Sequence, residues 1–245
     1  MFNWFSKKKE AELAPLDFST LKTDIHSHFI PGIDDGSADM ETTINLLQEM
    51  KKLGFSKVIT SPHVMSDLYK NSSEVILKGL ENIRAELKEK RINIEIETAA
   101  EYYLDYDFKE KIDEEHFLTF GSNYLLVELS FVEVPKSFFE IIFKLQLAGY
   151  KVVLAHPERY SYFHIKDYED LVNRGVFLQI NWLSLIGYYS LEVQSKAEDL
   201  IYKDMVSFVG TDCHNLSQMK LYRQCQTKRA WHHLYNSGKL LNQTL

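Results

Sequence analysis

The sequence predicts an α/β fold in which short, buried strands alternate with amphipathic helices. Seven short apolar segments are each bounded by turn residues, as expected for strands that are covered on both faces. Between them, apolar residues recur at the three- and four-residue spacing of a helix that buries one face. The chain has 245 residues, a common length for an α/β barrel of one domain. These observations predict parallel βα units, wound into either a barrel or an open doubly wound sheet.

The predicted elements follow one another, and no linker, internal repeat or low-complexity tract separates them. Ser37 or Asp39 is a suitable cap for the first helix, Gly54 closes it, and Pro135 opens the fourth. The strands are predicted at 23–28, 57–63, 92–101, 124–129, 151–155, 176–181 and 206–211. The helices are predicted at 38–53, 73–90, 107–115, 135–149, 167–174, about 183–203 and 215–236.

One domain over residues 21–245 is therefore expected, with residues 1–20 as a flexible N-terminal extension. Within residues 1–9, three aromatic side chains stand beside three lysines, and we interpret them as a disordered terminus rather than a membrane contact. The order of basic and apolar residues there is not that of a signal peptide. No apolar run reaches the roughly 20 residues of a membrane span, so no transmembrane segment is expected.

The net charge narrows the classes of partner, and the cysteine content bears on the cellular compartment. The formal net charge of −7 argues against nucleic acid, because phosphate backbones attract patches of Lys and Arg. It leaves an anionic substrate open, because bound cations reverse the local sign of charge. The two cysteines, Cys213 and Cys225, form no disulfide framework, which suits a reducing cytoplasm.

A metal-binding pattern begins in the first strand. His26 and His28 are two residues apart, so on a strand their imidazoles face the same space. Asp35, in the loop that follows, adds a carboxylate oxygen, and both groups are good ligands for transition metals. Alone, such a pair of histidines is a weak signal that two surface residues would also produce.

The ends of the later strands strengthen this signal. Six of the seven predicted strands end in a metal-competent side chain, and the carboxyl ends of parallel strands meet on one face, where active sites are built. The candidate ligands are His26, His28, Asp35, His63, Glu101, Glu128, His156, Asp212 and His214. The remaining histidines lie off the strand ends and are interpreted as surface or packing residues; they are His116, His164, His232 and His233.

These motifs resemble the polymerase-and-histidinol-phosphatase (PHP) superfamily, and within it the bacterial tyrosine-protein phosphatases of capsule and exopolysaccharide systems. The resemblance covers about residues 22–220 and implies a distorted (β/α)7, TIM-like barrel with three metal ions. In that branch Asp and Glu replace two histidines of other PHP enzymes, as Asp35 and Glu128 do here. The stretches that carry the resemblance are Asp24–His28, Pro31–Ser37, Thr60–His63, Ala100–Glu101, Val127–Glu128, His156–Arg159 and Asp212–Asn215.

Carried over residue by residue, the resemblance implies the metal ligands and the phosphate contact. The ions are expected to be Mn²⁺, with Fe, Zn or Mg as alternatives. The ligand groups would be His26, His28, Glu101 and Asp212; then Glu101, Glu128 and His156, with Glu101 bridging; and then Asp35, His63 and His214. Besides Glu101 and Asp212, the catalytic machinery would include Arg159, which matches a family arginine that grips the phosphate, as a planar guanidinium can.

One position departs from the family pattern, and it bears on the substrate contacts. Met219 stands where the branch usually has a second arginine, five residues after the last metal histidine. Lys220 or Arg223 is a candidate substitute, although a lysine does not reproduce bidentate binding. Several tyrosines near the strand ends are candidate walls for a phosphotyrosine ring, and Tyr102 is the one assigned as a substrate contact.

The expected reaction is hydrolysis of a phosphate ester by a metal-bound hydroxide. Four carboxylates contribute a charge of −4, so three divalent ions leave the site at +2, which suits a phosphate dianion and a hydroxide. A phenol leaves with a pKa near 10, so phosphotyrosine needs little general acid help. A cysteine mechanism is excluded, because neither Cys213 nor Cys225 has an arginine six residues later.

The function expected from these residues is that of a metal-dependent protein-tyrosine phosphatase. The resemblance implies that its partner is a phosphotyrosine protein, namely a bacterial tyrosine kinase of polysaccharide export, and a homo-oligomer is compatible with the sequence. Two alternatives on the same scaffold are a small-molecule phosphomonoesterase, like histidinol phosphatase, and a nuclease. A non-catalytic module is disfavoured, because the ligand set is intact.

Overall fold

A computed structural model of the protein describes residues 13–113 and 116–245. The aromatic and lysine-rich residues 1–9 therefore lie outside the described residues. The strands are β1 (Thr23–Asp24), β2 (Lys57–Thr60), β3 (His63–Val64), β4 (Glu95–Thr98), β5 (Glu101–Tyr103), β6 (Tyr124–Glu128), β7 (Lys151–Ala155), β8 (Phe177–Asn181) and β9 (Val206–Gly210). The helices are α1 (Met40–Lys52), α2 (Ser73–Glu89), α3 (Phe108–Lys111), α4 (Phe138–Leu147), α5 (Ile165–Asn173), α6 (Leu191–Tyr202), α7 (Leu216–Met219), α8 (Tyr222–Cys225) and α9 (Arg229–Ser237). Short 3₁₀ turns cover Pro157–Arg159, Trp182–Ile186 and Leu241–Thr244.

The strands form two sheets, and every paired strand in them runs parallel to its neighbour. The smaller sheet has the order β1-β2-β4, and the larger has the order β3-β5-β6-β7-β8-β9. Most of the strands are joined through helices, as parallel pairing requires. The predicted α/β class with parallel strands is confirmed.

Two of the seven predicted strands are interrupted, which is why the described strands outnumber the predicted ones. The predicted strand 57–63 divides into β2 and β3 around Pro62, which has no N–H to donate to a ladder. The predicted strand 92–101 likewise divides into β4, in the smaller sheet, and β5, in the larger sheet. Hydrogen bonds cross both breaks: the Ala99 amide donates to the Thr60 carbonyl at 2.9 Å, and the Glu101 amide donates to Pro62 at 3.0 Å.

The first and last strands also lie side by side, although they share no ladder. The Asp212 amide donates to the His26 carbonyl at 2.7 Å, and the His28 amide donates to the Cys213 carbonyl at 3.0 Å. The buried carboxylate of Asp24 accepts the amide of Thr211 at 2.8 Å and its hydroxyl at 2.9 Å. The Asp24 side chain therefore adds to the backbone hydrogen bonds that link the segments following β1 and β9.

The apolar core divides into two parts that the strands separate. The smaller part contains strand residues such as Ile59, Leu126 and Phe208, and the larger part fills the space between strands and helices. Alternate residues of a strand face opposite sides, so Leu126 in the small cluster shares its side of β6 with Glu128. The small cluster thus forms the floor beneath the side chains at the strand ends.

Two predicted helices are divided into shorter elements. The predicted helix at about 183–203 is a 3₁₀ turn followed by α6, because Gly187 adopts a φ of +73° and Ser190 then caps α6 by accepting the Val193 amide. The predicted helix 215–236 is three helices, α7 to α9, with Lys228 in extended conformation before α9. Apolar spacing is the same on both sides of such breaks, so periodicity alone does not reveal them.

Within residues 13–113 and 116–245, no helix is both long enough and apolar enough to cross a lipid bilayer.

The Asp24 link predicts a pH dependence of stability. Burial raises the pKa of Asp24 from 3.8 to about 7, so between these values the native state holds a proton that the unfolded chain releases. The free energy of unfolding should therefore fall as the pH rises from 4 to 7. Asp24→Asn keeps the acceptor for the Thr211 amide and removes the charge, so this variant should be more stable than the native protein at pH 8, by up to about 4 kcal/mol.

Urea denaturation of the chelated protein between pH 4 and pH 8 measures this difference. Asp113→Asn, a change at an exposed carboxylate on the surface, is the control and should keep the pH slope of the native protein. Equal slopes for Asp24→Asn and the native protein would contradict the assignment of the proton to Asp24.

Candidate metal centre

The nine candidate ligands come together around one cavity at the carboxyl ends of the strands. The cavity has a volume of about 360 Å³, and His26 and His28 lie fully buried beneath it. Its lining consists of Asp35, His63, Glu101, Glu128, Phe131, His156, Arg159, Tyr189, Asp212, His214, Asn215 and Gln218. Residues separated by almost two hundred positions in the sequence are thus brought to one place.

Glu101 lies at the centre of this group and is completely buried. Its Oε2 atom is 3.3 Å from Nε2 of His26 and 3.1 Å from Nδ1 of His63, and its Oε1 atom is 3.0 Å from Nε2 of His156. Glu101 Oε2 and His63 Nδ1 have no hydrogen-bond partner of acceptable geometry. Oε1 of Glu101 is hydrogen-bonded to His156, whereas Oε2 and the nitrogens of His26 and His63 that face it converge on the space between them, which is the arrangement that a shared cation requires.

Asp212 forms the second focus, beside β9. Its Oδ1 atom is 3.4 Å from Nε2 of both His26 and His28, and 3.6 Å from Nδ1 of His214. Asp212 and His156 adopt positive φ values of 51° and 33°, in the left-handed region that residues other than glycine rarely occupy. Strained backbone of this kind is concentrated at functional sites, where it directs a side chain toward the cavity.

The third focus lies at the cavity mouth around Asp35. Its Oδ1 atom is 3.5 Å from Nε2 of His63 and 3.5 Å from Nε2 of His214, and its side chain is 55% exposed. His28 joins these three residues in a group whose ligand atoms all lie within 4.8 Å of one another. This focus is the part of the centre most open to solvent.

The distances group the ligands somewhat differently from the sets that the resemblance implies. Four groups have all their ligand atoms within 4.8 Å: His28, Asp35, His63 and His214; His26, His28 and Glu101; His26, His156 and Asp212; and His63, Glu101 and Glu128. His28 therefore approaches the Asp35 group as well as Glu101, and His63 approaches Glu128 as well as Asp35. The groups share members, so the nine residues form one continuous cluster.

The pKa values show how strongly these groups interact. Burial and the neighbouring charge of Glu101 raise the pKa of Glu128 to about 8. Burial alone would lower the pKa of His26, but Glu101 and Asp212 outweigh it and raise that pKa to about 10. Protons held on buried groups offset repulsion among the carboxylates, and divalent cations would perform the same task. The mixture of imidazole and carboxylate donors fits first-row transition metals.

Arg159 borders this cluster, held between two aromatic rings. Its guanidinium carbon is 4.4 Å from the ring centre of Phe131 and 4.5 Å from that of Tyr189, and its Nη1 atom is 3.4 Å from Oδ2 of Asp212. In the described part of the chain it is the one Arg or Lys that lines the cavity. The guanidinium is therefore fixed beside the candidate ligands and remains partly accessible.

Two expected substrate contacts do not reach the cavity. Tyr102 is 4% exposed, its ring packs against Phe117, and its hydroxyl accepts the Leu118 amide at 2.8 Å. This corrects the prediction for Tyr102, whose ring belongs to the core. Lys220 and Arg223 are exposed and absent from the cavity lining, so neither occupies the place of the family arginine that Met219 replaces.

The structure adds residues that sequence reasoning missed. Asp34 Oδ2 lies 2.9 Å from Nδ1 of His28, and Gln179 Oε1 lies 2.7 Å from Nδ1 of His26. Phe131 packs on Arg159, and Asn181 donates to Asp212. A signal existed for two of them, because Gln179 and Asn181 stand at the end of β8, the strand without a predicted ligand.

The cysteines lie outside the cavity lining. Cys213 and Cys225 are both buried, and burial raises the pKa of both thiols, to about 12 for Cys225. A thiolate nucleophile is thereby disfavoured at neutral pH.

Comparison with known proteins places the chain in a family. The sequence profile of the family described as capsular polysaccharide synthesis, CpsB/CapC, matches residues 22–234. The chain belongs to this family. Its relatives in the CpsB/CapC family include the tyrosine-protein phosphatase YwqE of Bacillus subtilis strain 168, which is 26% identical over 206 residues, covering 82% of this chain and 80% of YwqE. The tyrosine-protein phosphatase CpsB of Streptococcus pneumoniae is 27% identical over 209 residues, covering 82% of this chain and 86% of CpsB.

A solved structure supports the same fold. It comes from the crystal structures of YwqE from Bacillus subtilis and CpsB from Streptococcus pneumoniae, described as unique metal-dependent tyrosine phosphatases. The TM-score is 0.79 at 24% identity, with 91% of this chain and 90% of the other chain covered. The family suggested by the sequence motifs is therefore confirmed, and the CpsB/CapC fold extends over nearly the whole chain.

The clustered carboxylates predict that divalent cations stabilise the protein. The chelated protein should melt at a lower temperature than the protein with Mn²⁺, because bound ions relieve repulsion among buried charges. At an ion concentration about 100 times the dissociation constant, the gain should be about 2.7 kcal/mol. Differential scanning calorimetry measures it. Glu101→Gln should lose most of the gain and Glu97→Gln, on β4, should keep it; an equal gain in both variants would contradict the placement of the ions.

Proposed function

We propose that this member of the CpsB/CapC family is a metal-dependent phosphatase that hydrolyses phosphotyrosine in proteins. The observation that carries the proposal is the convergence of five histidines, four carboxylates and Arg159 on one cavity. The names of the relatives, tyrosine-protein phosphatases in two bacterial species, support the same reaction.

We propose that the centre holds three divalent ions, with Mn²⁺ as the expected metal and Fe, Zn or Mg as alternatives. Three ions balance four carboxylates with two charges to spare, which favours an incoming phosphate dianion. When bound, such ions supply positive charge and a water molecule acidified toward neutral pH. The proposed ligand groups are those that the sequence motifs imply, and pair distances of 3.0–3.6 Å within each group support them: His26, His28, Glu101 and Asp212; Glu101, Glu128 and His156; and Asp35, His63 and His214.

Arg159 is proposed to bind the phosphoryl oxygens. A guanidinium has several N–H donors in one plane, and Asp212 engages only one edge of it, at 3.4 Å. The rings of Phe131 and Tyr189 hold the plane in place, so less side-chain entropy is lost when the phosphate binds. The residue therefore acts as a positioned anion clamp at the wall of the cavity.

The aromatic rings at the same wall favour an aryl phosphate. Phe131 and Tyr189 both line the cavity, and Phe131 is 41% exposed, so a ring face is available beside the bound phosphate. A phenol is a good leaving group, so an aryl phosphate needs less help from a general acid than an alkyl phosphate does.

The remaining proposals concern the whole chain. We propose that residues 21–245 form one domain in which the two sheets make a distorted seven-unit barrel. The hydrogen bonds between β1 and β9, and those across the breaks in the predicted strands 57–63 and 92–101, support this arrangement.

The family description supports a substrate among the phosphotyrosine proteins of capsule synthesis, for which we propose a bacterial tyrosine kinase. Two unpaired, buried cysteines favour a cytoplasmic location.

Glu101→Gln tests the metal chemistry. The amide has nearly the same shape as the carboxylate but lacks its charge, so we expect kcat for an aryl phosphate to fall about a thousandfold or more. Release of phosphate from a phosphotyrosine peptide, with added Mn²⁺, is the measurement. Glu97→Gln is the matched control and should retain the activity of the native protein; near-native activity of Glu101→Gln would defeat the proposal.

Arg159→Lys tests the phosphate contact. Lysine keeps the charge but loses the planar pair of donors and the stacking between the rings, so we expect kcat/KM to fall about 10–100-fold. Steady-state kinetics with p-nitrophenyl phosphate measures the change. Arg223→Lys, on the exposed side of α8, should behave like the native protein, and equal losses in both variants would contradict the role of Arg159.

A further inference from the structure

The end of β8 carries two buried amides in contact with two of the proposed metal ligands. Gln179 and Asn181 are both fully buried, and because they are two residues apart on one strand they face the same side. On that side lie His26, from the segment after β1, and Asp212, from the segment after β9. Six of the seven predicted strands supply metal-competent side chains. The remaining predicted strand, which corresponds to β8, supplies amides instead.

The contacts of the Gln179 side chain fix the direction of its amide. Its Nε2 atom donates to the Ile180 carbonyl at 2.7 Å and to Oδ1 of Asn181 at 3.0 Å. Both partners are acceptors, so the reversed amide would place an oxygen against two oxygens. Oε1 of Gln179 must therefore face Nδ1 of His26, at 2.7 Å, and accept its proton.

This contact determines which nitrogen of His26 is free. With the proton on Nδ1, the lone pair of the neutral ring lies on Nε2, the atom that faces Glu101 and Asp212 at 3.3 and 3.4 Å. A histidine that binds a metal through one nitrogen is commonly oriented by a hydrogen bond at the other, and an acceptor there raises the basicity of the ligand.

Asn181 performs the matching task for Asp212. Its Nδ2 atom donates to Oδ2 of Asp212 at 2.6 Å and to the Tyr189 hydroxyl at 3.1 Å. Oδ2 of Asp212 is therefore occupied by Asn181, while Oδ1 faces His26 and His28. Asp212 is left with one oxygen directed at the space between the ligands.

The neighbouring strand, β9, leaves room for these two amides at a glycine. Asn181 pairs with Gly210 of β9. A Cβ atom at Gly210 would lie 2.6 Å from Cβ of His26, closer than side chains allow, and 3.0 Å from Nε2 of Gln179, which is a tight contact. The missing side chain at Gly210 thus leaves room for the contact between Gln179 and His26.

We propose that Gln179 and Asn181 form an amide relay that positions His26 and Asp212 for metal binding. The two are positioning residues rather than ligands: one fixes the tautomer of His26, and the other directs a single oxygen of Asp212 to the ion. The proposal rests on the proposed metal-dependent function and deepens it. It assigns a role to the one strand that the ligand pattern leaves out.

Metal binding by the full-length chain tests the relay without reference to turnover. Gln179→Met keeps the length of the side chain but offers His26 only a weak thioether acceptor, and Asn181→Ser withdraws the donor from Asp212, because the serine side chain is shorter. After chelation and dialysis, we expect calorimetric titration with Mn²⁺ to show affinity reduced about 10–100-fold in each variant. The absorption spectrum of the Co²⁺-loaded protein should change as well, because the geometry around the ion changes.

Asn242→Leu is the matched control. Asn242 is a fully buried amide that donates to the carbonyls of Thr23 and Val209, away from the cavity lining. Its loss should lower the melting temperature yet leave the Mn²⁺ affinity and the Co²⁺ spectrum unchanged. If Gln179→Met does not fold, Asn181→Ser tests the proposal instead, because serine is smaller than asparagine and fits the same space without new contacts.

The outcomes separate the relay from the function on which it rests. A native chain that binds no Mn²⁺ overturns both proposals. A native chain that binds Mn²⁺, together with a folded Gln179→Met or Asn181→Ser variant of the same affinity and Co²⁺ spectrum, overturns the relay alone. Equal loss of affinity in Asn242→Leu also overturns it, because the effect would then belong to general destabilisation.

Discussion

The structure depends on a buried carboxylate of which one oxygen is hydrogen-bonded to His156, while the other faces two further imidazoles without a hydrogen bond. Glu101 is fully buried, and His26, His63 and His156 approach it within 3.0 to 3.3 Å. Three more carboxylates lie in the same cluster, and burying like charges together is unfavourable unless something neutralises them. Protons can do so, at the cost of shifted pKa values such as that of Glu128. Each divalent ion neutralises more charge than a proton does, and a bound ion would also activate water for hydrolysis.

The parallel strands solve the problem of bringing these groups together. Six of the seven predicted strands contribute one or two of these side chains at their carboxyl ends, and the apolar cluster beneath them supplies a dry, rigid floor. Between β1 and β9 no ladder forms; two backbone hydrogen bonds of the segments that follow these strands, and the carboxylate of Asp24 bound to Thr211, connect them instead. This junction matters for the centre, because His26 and Asp212 follow directly on either side of it.

The clustering of the candidate ligands could be predicted from the sequence because it follows simple rules of strand geometry. Metal-competent residues stood at the ends of successive apolar segments, and the order of βα units placed those ends on one face. The same rules, applied more strictly, would have excluded Tyr102: it follows Glu101 on β5, and adjacent residues of a strand face opposite sides. The core position of its ring was therefore implicit in the position of its neighbour.

Other features depend on information that no local pattern contains. The left-handed backbone at His156 and Asp212 is imposed by the surrounding structure, since neither residue type signals it. The division of residues 215–236 into three helices preserves the spacing of buried residues, so periodicity does not detect it. Gln179 and Asn181 carry no charge and bind no metal themselves, so their contribution appears only when their partners are known.

The substitution of Met219 for the second arginine changes how the phosphate charge can be balanced. Met219 is 4% exposed and belongs to the apolar core, and Lys220 and Arg223 lie outside the cavity lining. Arg159 then supplies the one Lys or Arg side chain among the described residues that meets the cavity, and part of its charge is already engaged by Asp212. The remaining positive charge for a phosphate dianion must come from the ions themselves. Substrate binding in this chain should therefore depend closely on metal loading.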